Sequence, residues 1–184
     1  MNLTEMTKKT LGLIEELNPD SELLTDDPDI ATKFKDVTNQ IMFELVRLKK
    51  LPAYVEIPVV KGDLLDFAKI EKASKYEVYQ ISIFRGVECD YKAQGTIVKM
   101  LEDGIAEVEF FKYPERITEK TKGSYEFELP NDVLEIMPYG SAADLLKSDI
   151  SSDYGRHYAE RYESMKQLLD PRYAMGSIYI EGGV

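Results

Sequence analysis

Residues 105–112 read Ile-Ala-Glu-Val-Glu-Phe-Phe-Lys, and the alternation inside them decides the fold. Ala106, Val108 and Phe110 fall on one side of an extended chain, Glu107 and Glu109 on the other. That pattern describes a strand with one buried and one wet face. Glu102-Asp103-Gly104 precedes it, and 96–101 is a further β-prone run, so a hairpin through Asp-Gly is expected. Runs 76–84 and 87–93, divided by Arg85-Gly86, extend an antiparallel meander toward the N-terminus. Tyr125, Phe127 and Leu129 alternate with Ser124, Glu126 and Glu128, which predicts a last strand over 124–129. Residues 54–60 (Tyr-Val-Glu-Ile-Pro-Val-Val) are β-prone too, but Pro58 confines them to an edge strand or an extended arm.

The flanks change period. Leu3, Met6, Leu13, Ile14 and Leu17 predict a first helix over 3–17, ended by Asn18-Pro19. Asp27 is a natural N-cap with Pro28 in the first helical position. From there Ile30, Phe34, Val37, Ile41, Leu45 and Leu48 form one apolar stripe on a second helix that runs to Lys50. After Pro130, Leu134, Met137, Ala142, Leu145 and Leu146 mark a third helix ending near Ser148, with Pro138 in its first turn and 131–136 as a separate turn. Tyr154, Tyr158, Tyr162, Met165 and Leu169 mark a final helix ending at Asp170-Pro171. The expected fold is α+β: an α-helical bundle with an antiparallel β-sheet lobe inserted between helices two and three. The bundle takes 1–53 and 130–174, the lobe 54–129, and an extended C-terminal arm 175–184. Leu45 and Leu146 are expected inside the bundle.

Composition narrows the function. No apolar run approaches the roughly 18 residues of a membrane helix, which argues against an integral membrane protein. The first residues, Met1 to Lys9, lack a basic stretch followed by an apolar one, so no signal peptide is expected. Acidic residues number 34 and basic ones 23, a net charge of −11. A groove that binds nucleic acid by neutralising phosphates needs the opposite sign.

One cysteine, Cys89, and one histidine, His157, exclude an intrachain disulfide and a zinc site built on these ligands, and they suit a reducing compartment. His157 could act as a base with Asp153 one turn earlier, yet no nucleophile or oxyanion donor stands near it in sequence, and a locally bonded boundary histidine is the better reading. Glu107 and Glu109 would project from one strand face. A paired-acid or magnesium site is formally open to them, and a solvated sheet face is favoured. Tyr154, Tyr158 and Tyr162 could stack bases, but Asp153, Glu160 and Glu163 stand among Arg156 and Arg161, so core packing or a protein-facing surface suits them better. No catalytic, cofactor-binding or metal residue is therefore assigned, and no cofactor is expected.

The tail differs from a simple frayed end. Ile178-Tyr179-Ile180 is a β-prone triplet between Gly176-Ser177 and Glu181-Gly182-Gly183. Such a triplet can add a strand to an exposed sheet edge on a partner.

Several stretches carry a resemblance. They are Ala106–Pro114 with Glu115-Arg116-Ile117-Thr118; Phe127-Glu128-Leu129-Pro130-Asn131-Asp132; Ile136-Met137-Pro138-Tyr139-Gly140-Ser141-Ala142-Ala143-Asp144-Leu145-Leu146; and Tyr158-Ala159-Glu160-Arg161-Tyr162. In this order, over about residues 27–184, the chain resembles the head–tail connector (adaptor) proteins of tailed bacteriophages. The resemblance implies a non-enzymatic virion protein of the neck, at the head–tail junction. It would assemble in the host cytoplasm as a ring of about twelve copies beneath the portal protein. It would extend the DNA channel and dock the next neck or tail protein, with DNA passing through without specific binding. Ile178, Tyr179 and Ile180 would then form a portal-docking arm. The net charge of −11 per copy acquires a use in such a ring, since electronegative walls disfavour contact with sliding DNA. The alternative is an acidic DNA mimic that inhibits a host nuclease or restriction enzyme. A mimic wants carboxylates spaced like phosphates along a helix face, whereas here they are scattered between lysines. A small hydrolase using paired carboxylates is the weakest of the three.

Overall fold

In the computed structural model, residues 1–87, 89–95, 97–148 and 153–169 are described. Helices α1 (Leu3–Leu13) and α2 (Pro28–Lys49) lead into strands β1 (Leu51–Val59) and β2 (Leu64–Leu65), and helix α3 (Phe67–Ser74) follows. Strands β3 (Val78–Val87), β4 (Tyr91–Gln94), β5 (Ile97–Met100) and β6 (Gly104–Lys112) complete the β region. Helices α4 (Asn131–Leu145) and α5 (Asp153–Gln167) follow, with a 3-10 turn at Leu146–Ser148. The fold is α+β, with the sheets between the second long helix and the third. Two compact units divide it. Met1–Lys49 joins the described residues 114–169 in a helical unit, and Lys50–Tyr113 forms the β lobe.

The helical unit is organised around α4. Val133, Leu134, Ile136, Met137, Gly140, Ser141 and Ala142 are all buried, so this helix is apolar on nearly every side. Such a helix belongs in the middle of a core, and α1, α2 and α5 all pack on it. The expected break at Pro138 does not occur: α4 runs unbroken through it, with Pro138 itself buried. The ring removes one backbone donor and so one bond of the helical ladder, a cost that the burial of its neighbours Ile136, Met137, Gly140 and Ser141 offsets. At α2, Asp27 caps as the sequence predicts, its Oδ1 accepting from the backbone of Asp29 (2.8 Å) and Ile30 (3.3 Å). The expected stripe drifts along the helix. Leu45 is fully buried, but Leu48 faces out and Lys49 takes the inward position.

α1 is shorter than expected. It opens on a reciprocal cap, the Asn2 side chain accepting from Glu5 N–H and the Glu5 carboxylate from Asn2 N–H. It stops at Leu13 because Glu15 adopts a left-handed conformation (φ 61°) and Glu16 N–H bonds back to Leu11 carbonyl at 3.0 Å. This is a Schellman ending without the usual glycine, so the composition does not announce it. Leu146 is also half-buried rather than buried, packed beside Leu145 near Leu11 and Ile14.

Residues 114–129 belong to the helical unit, not to the lobe. The alternating run at 124–129 makes a single bridge, Asn2 to Glu126, in place of a strand. Backbone pairing is satisfied by the helices instead. Leu3 N–H donates to Tyr125 carbonyl and Thr4 N–H to Gly123 carbonyl, both at 2.9 Å. The Asn39 side chain brackets Ile117, donating to its carbonyl and accepting from its N–H, each at 2.8 Å. Ile117, Phe127 and Leu129 are buried by this strap.

In the lobe two three-stranded antiparallel sheets form, ordered β1-β6-β3 and β2-β5-β4. β1 lies at an edge, as Pro58 requires. The expected hairpin through Asp103-Gly104 is absent: β6 is paired along both sides by β1 and β3, so β5 turns away to pair with β2 and β4. Asp103 instead accepts from Lys61 N–H at 2.7 Å. Nor is Arg85-Gly86 a turn. β3 passes straight through it, and Gly86 is needed because a Cβ there would stand 2.3 Å from Cys89 carbonyl. The tight connection lies between β4 and β5, where Gly95 takes a φ of +62°. Helix α3 packs Ile70 against Val78, Val108 and Phe110, so the inward row predicted from the alternation of β6 is indeed core.

One steric prediction arises from α4. A Cβ at Gly140 would meet two ring carbons of Tyr162 at 2.8 and 2.9 Å and Ile41 Cδ1 at 3.1 Å. Gly140→Ala is expected to destabilise the protein by about 1–3 kcal/mol despite its better helix propensity. An unchanged or raised thermal midpoint would show that α4 and α5 can separate freely.

Candidate docking surfaces

His157 is exposed, its ring 5.9 Å from that of Tyr158. Asp153 is engaged by Arg156, which donates to Oδ1 at 3.0 Å, so the structure does not bring His157 and Asp153 together as a catalytic pair. Cys89 is buried, its Sγ 3.6 Å from Ile105 carbonyl. Among the described residues no group of three His, Cys, Asp or Glu could hold a metal ion. No described helix is long and apolar enough to cross a membrane.

The tyrosines of α5 grade from wet to dry. Tyr154 is 64% exposed, Tyr158 is half-buried and donates to Leu13 carbonyl at 2.6 Å, and Tyr162 is buried. Burial pushes the Tyr162 hydroxyl up, with the Glu44 carboxylate adding to it. Lys166 spans Glu44 of α2 and Glu163 of its own helix, at 2.6 Å each. The inner half of the tyrosine row is thus core, and only its outer end is free for a partner.

Lys49, 8% exposed, is held by Asp132 at 2.8 Å in the first turn of α4, where a carboxylate also suits the helix dipole. This lysine holds the Asp132 carboxyl below the usual range. A depressed carboxylate contributes stability above its unfolded value of about 4, and that contribution is lost as pH falls through the folded value. Asp132→Asn is therefore expected to destabilise at neutral pH, where it leaves Lys49 buried and unpaired. The gap from the parent should shrink below about pH 4. Half-exposure of Asp132 keeps this effect modest. Urea unfolding of both proteins across pH 3–7, on the order of one pH unit apart, checks it; a gap independent of pH would mean the ion pair is idle.

The outward face of β1-β6-β3 carries the pair Glu107 and Glu109. Register places Glu56 opposite Glu107 with Arg85 on the far side, and Tyr54 opposite Glu109 with Ile83 beyond. Tyr54 is 51% exposed, and its hydroxyl donates to Glu56 Oε1 at 2.8 Å. That bond first, then burial and the Glu107 charge, push the hydroxyl up to about 12. Beside them lies a groove of about 530 Å³, lined on this face by Pro52, Tyr54, Ser82, Glu109 and Phe111. Ser82 reaches it because the pairing of β3 shifts between Ile81 and Ile83. Sequence reasoning found the two glutamates and missed Tyr54 and Ser82; the one available signal was the Tyr54, Glu56, Pro58 alternation in β1.

Ile178, Tyr179 and Ile180 lie outside the described residues. Comparison with known proteins adds no relative: no family model matches the chain, and no curated protein matches it.

Proposed function

We propose that this chain is a non-enzymatic head–tail connector of a tailed bacteriophage, located in the virion neck. Copies would assemble as a ring beneath the portal protein, extend the DNA channel and dock a downstream neck or tail protein. The observation that carries the reading is the order of elements. A helix pair leads into a β lobe inserted between α2 and α4, and a tyrosine-rich helix closes the chain, in the sequence order of the adaptor resemblance. The charge supports it as well. A wall of acidic subunits lets DNA slide past without seating.

The DNA-mimic alternative is less well supported, because several acidic side chains on the helical unit are tied to lysines and arginines. Lys35 pairs with Glu119, Lys166 with Glu44 and Glu163, and Arg156 with Asp153. Paired carboxylates make a poor copy of a phosphate backbone.

The test is to mix the purified chain with its cognate portal and image the product by electron microscopy. Rings seated on the portal support the reading; tight binding to a nuclease or restriction enzyme with no portal complex would replace it by the mimic. Deleting residues 175–184 is expected to leave thermal stability unchanged and abolish portal binding, through loss of Ile178, Tyr179 and Ile180. Unimpaired portal binding, or a large fall in stability, would show that the tail is idle or part of the core.

A further inference from the structure

The outward face of β1-β6-β3 has an arrangement that the lobe's own stability does not ask for. Glu56 and Glu107 stand directly opposite each other on neighbouring strands, a like-charge pairing that weakens a sheet. Glu109 follows Glu107 on the same face. Among the described residues none of the three is in an ion pair, although Arg85 is in register with Glu107. The lobe seats its own cations on two other rings: Lys50 lies over Phe111, which itself lines the groove, at 4.7 Å, and Lys112 lies over Tyr76 at 3.9 Å. The half-exposed ring of Tyr54, with Glu56 bonded to its hydroxyl and Glu109 in register, carries no such cation among the described residues.

We propose that this groove is a docking surface for an extended segment of a protein partner, which inserts one lysine or arginine side chain between Tyr54 and Glu109. Charge complementarity selects the occupant. A cation there neutralises the Glu56, Glu107 and Glu109 cluster and lies on an aromatic wall, where both contacts strengthen as water leaves. The 530 Å³ of the groove exceeds what one such side chain fills, so an apolar neighbour of the cation can rest on Pro52. Main-chain pairing along β1 is restricted. Pro52 and Pro58 must point their missing donors away from β6, which leaves Tyr54 and Glu56 as the outward donors between them. Recognition therefore falls on side chains of the face rather than on a long added strand. The inference rests on the lobe alone and stands apart from the connector reading.

The full chain, labelled with nitrogen-15, is titrated with the blocked peptide acetyl-Thr-Val-Arg-Val-Thr-amide and its Arg-to-Gln counterpart. The arginine peptide is expected to saturate with a dissociation constant on the order of 1 mM and to shift the amides of Tyr54, Ser82 and Glu109. The glutamine peptide should bind at least about tenfold more weakly, and Glu109→Gln should weaken the arginine peptide by a similar factor. Glu102→Gln, an exposed acid outside the groove, should change nothing. Raising salt to about 0.5 M should weaken binding several-fold. Shifts spread over other acidic surfaces, equal shifts from both peptides, indifference to Glu109→Gln, or no saturable shift would each overturn the proposal. Because no portal is present, these outcomes leave the connector reading to its own test.

Discussion

Leu45→Ala is expected to cost about 2–5 kcal/mol of the helical unit's stability in urea unfolding followed by circular dichroism. Leu45 is 0% exposed on α2, between Met42 and Val46, which are equally buried. Truncation removes the transfer free energy of the lost methyl and methylene groups and leaves a cavity that α2 and α4 close only in part. Leu146→Ala is the control. Its side chain lies half-buried in the 3-10 turn after α4, and its loss should fall below the lower end of that range. A Leu45→Ala loss under about 0.5 kcal/mol would mean that the α2 stripe does not face the core.

Phe110→Ala is expected to cost about 3–5 kcal/mol, enough to threaten the lobe as a folded unit. Phe110 heads the fully buried side chains by volume and joins Val108, Val78 and Ile70 in one cluster, so it ties β6 to β3 and to α3. A lobe spanning Lys50–Tyr113 is near the size at which a single core is marginal. Hydrogen exchange should show lost protection across β1, β3 and β6 while the amides of α2 and α4 stay protected. Uniform loss in both units would mean that they unfold as one, and no loss would mean that Phe110 is dispensable to the core.

Local rules were legible wherever one short stretch of chain contains the whole cause. The Asp27-Pro28 start of α2, the inward row Ala106, Val108 and Phe110, the edge position forced by Pro58 and the α+β order all follow from spacing and capping chemistry. The outward pair Glu107 and Glu109 was legible for the same reason. Where partners lie far apart in sequence, the same rules misled. Asp103-Gly104 has the form of a hairpin turn, but both edges of β6 are already taken by β1 and β3. The 124–129 alternation has the form of a strand, but its backbone groups are met by Asn2, Leu3 and Thr4. Pro138 should break a helix, and α4 continues through it because burial against α1, α2 and α5 outweighs one missing hydrogen bond. The groove beside Tyr54 belongs to this second kind. It needs the register of β1 on β6 and the shift in β3 that delivers Ser82. Sequence by itself determined the presence of the four longer helices and the inward row of β6, because those depend on neighbours one to four residues away; it did not announce α3, whose eight residues bury only Ile70. Tertiary structure alone decided which strands pair, which unit owns 114–129 and where the carboxylates meet, because each of these is a competition among distant partners for the same hydrogen bonds and the same buried surface.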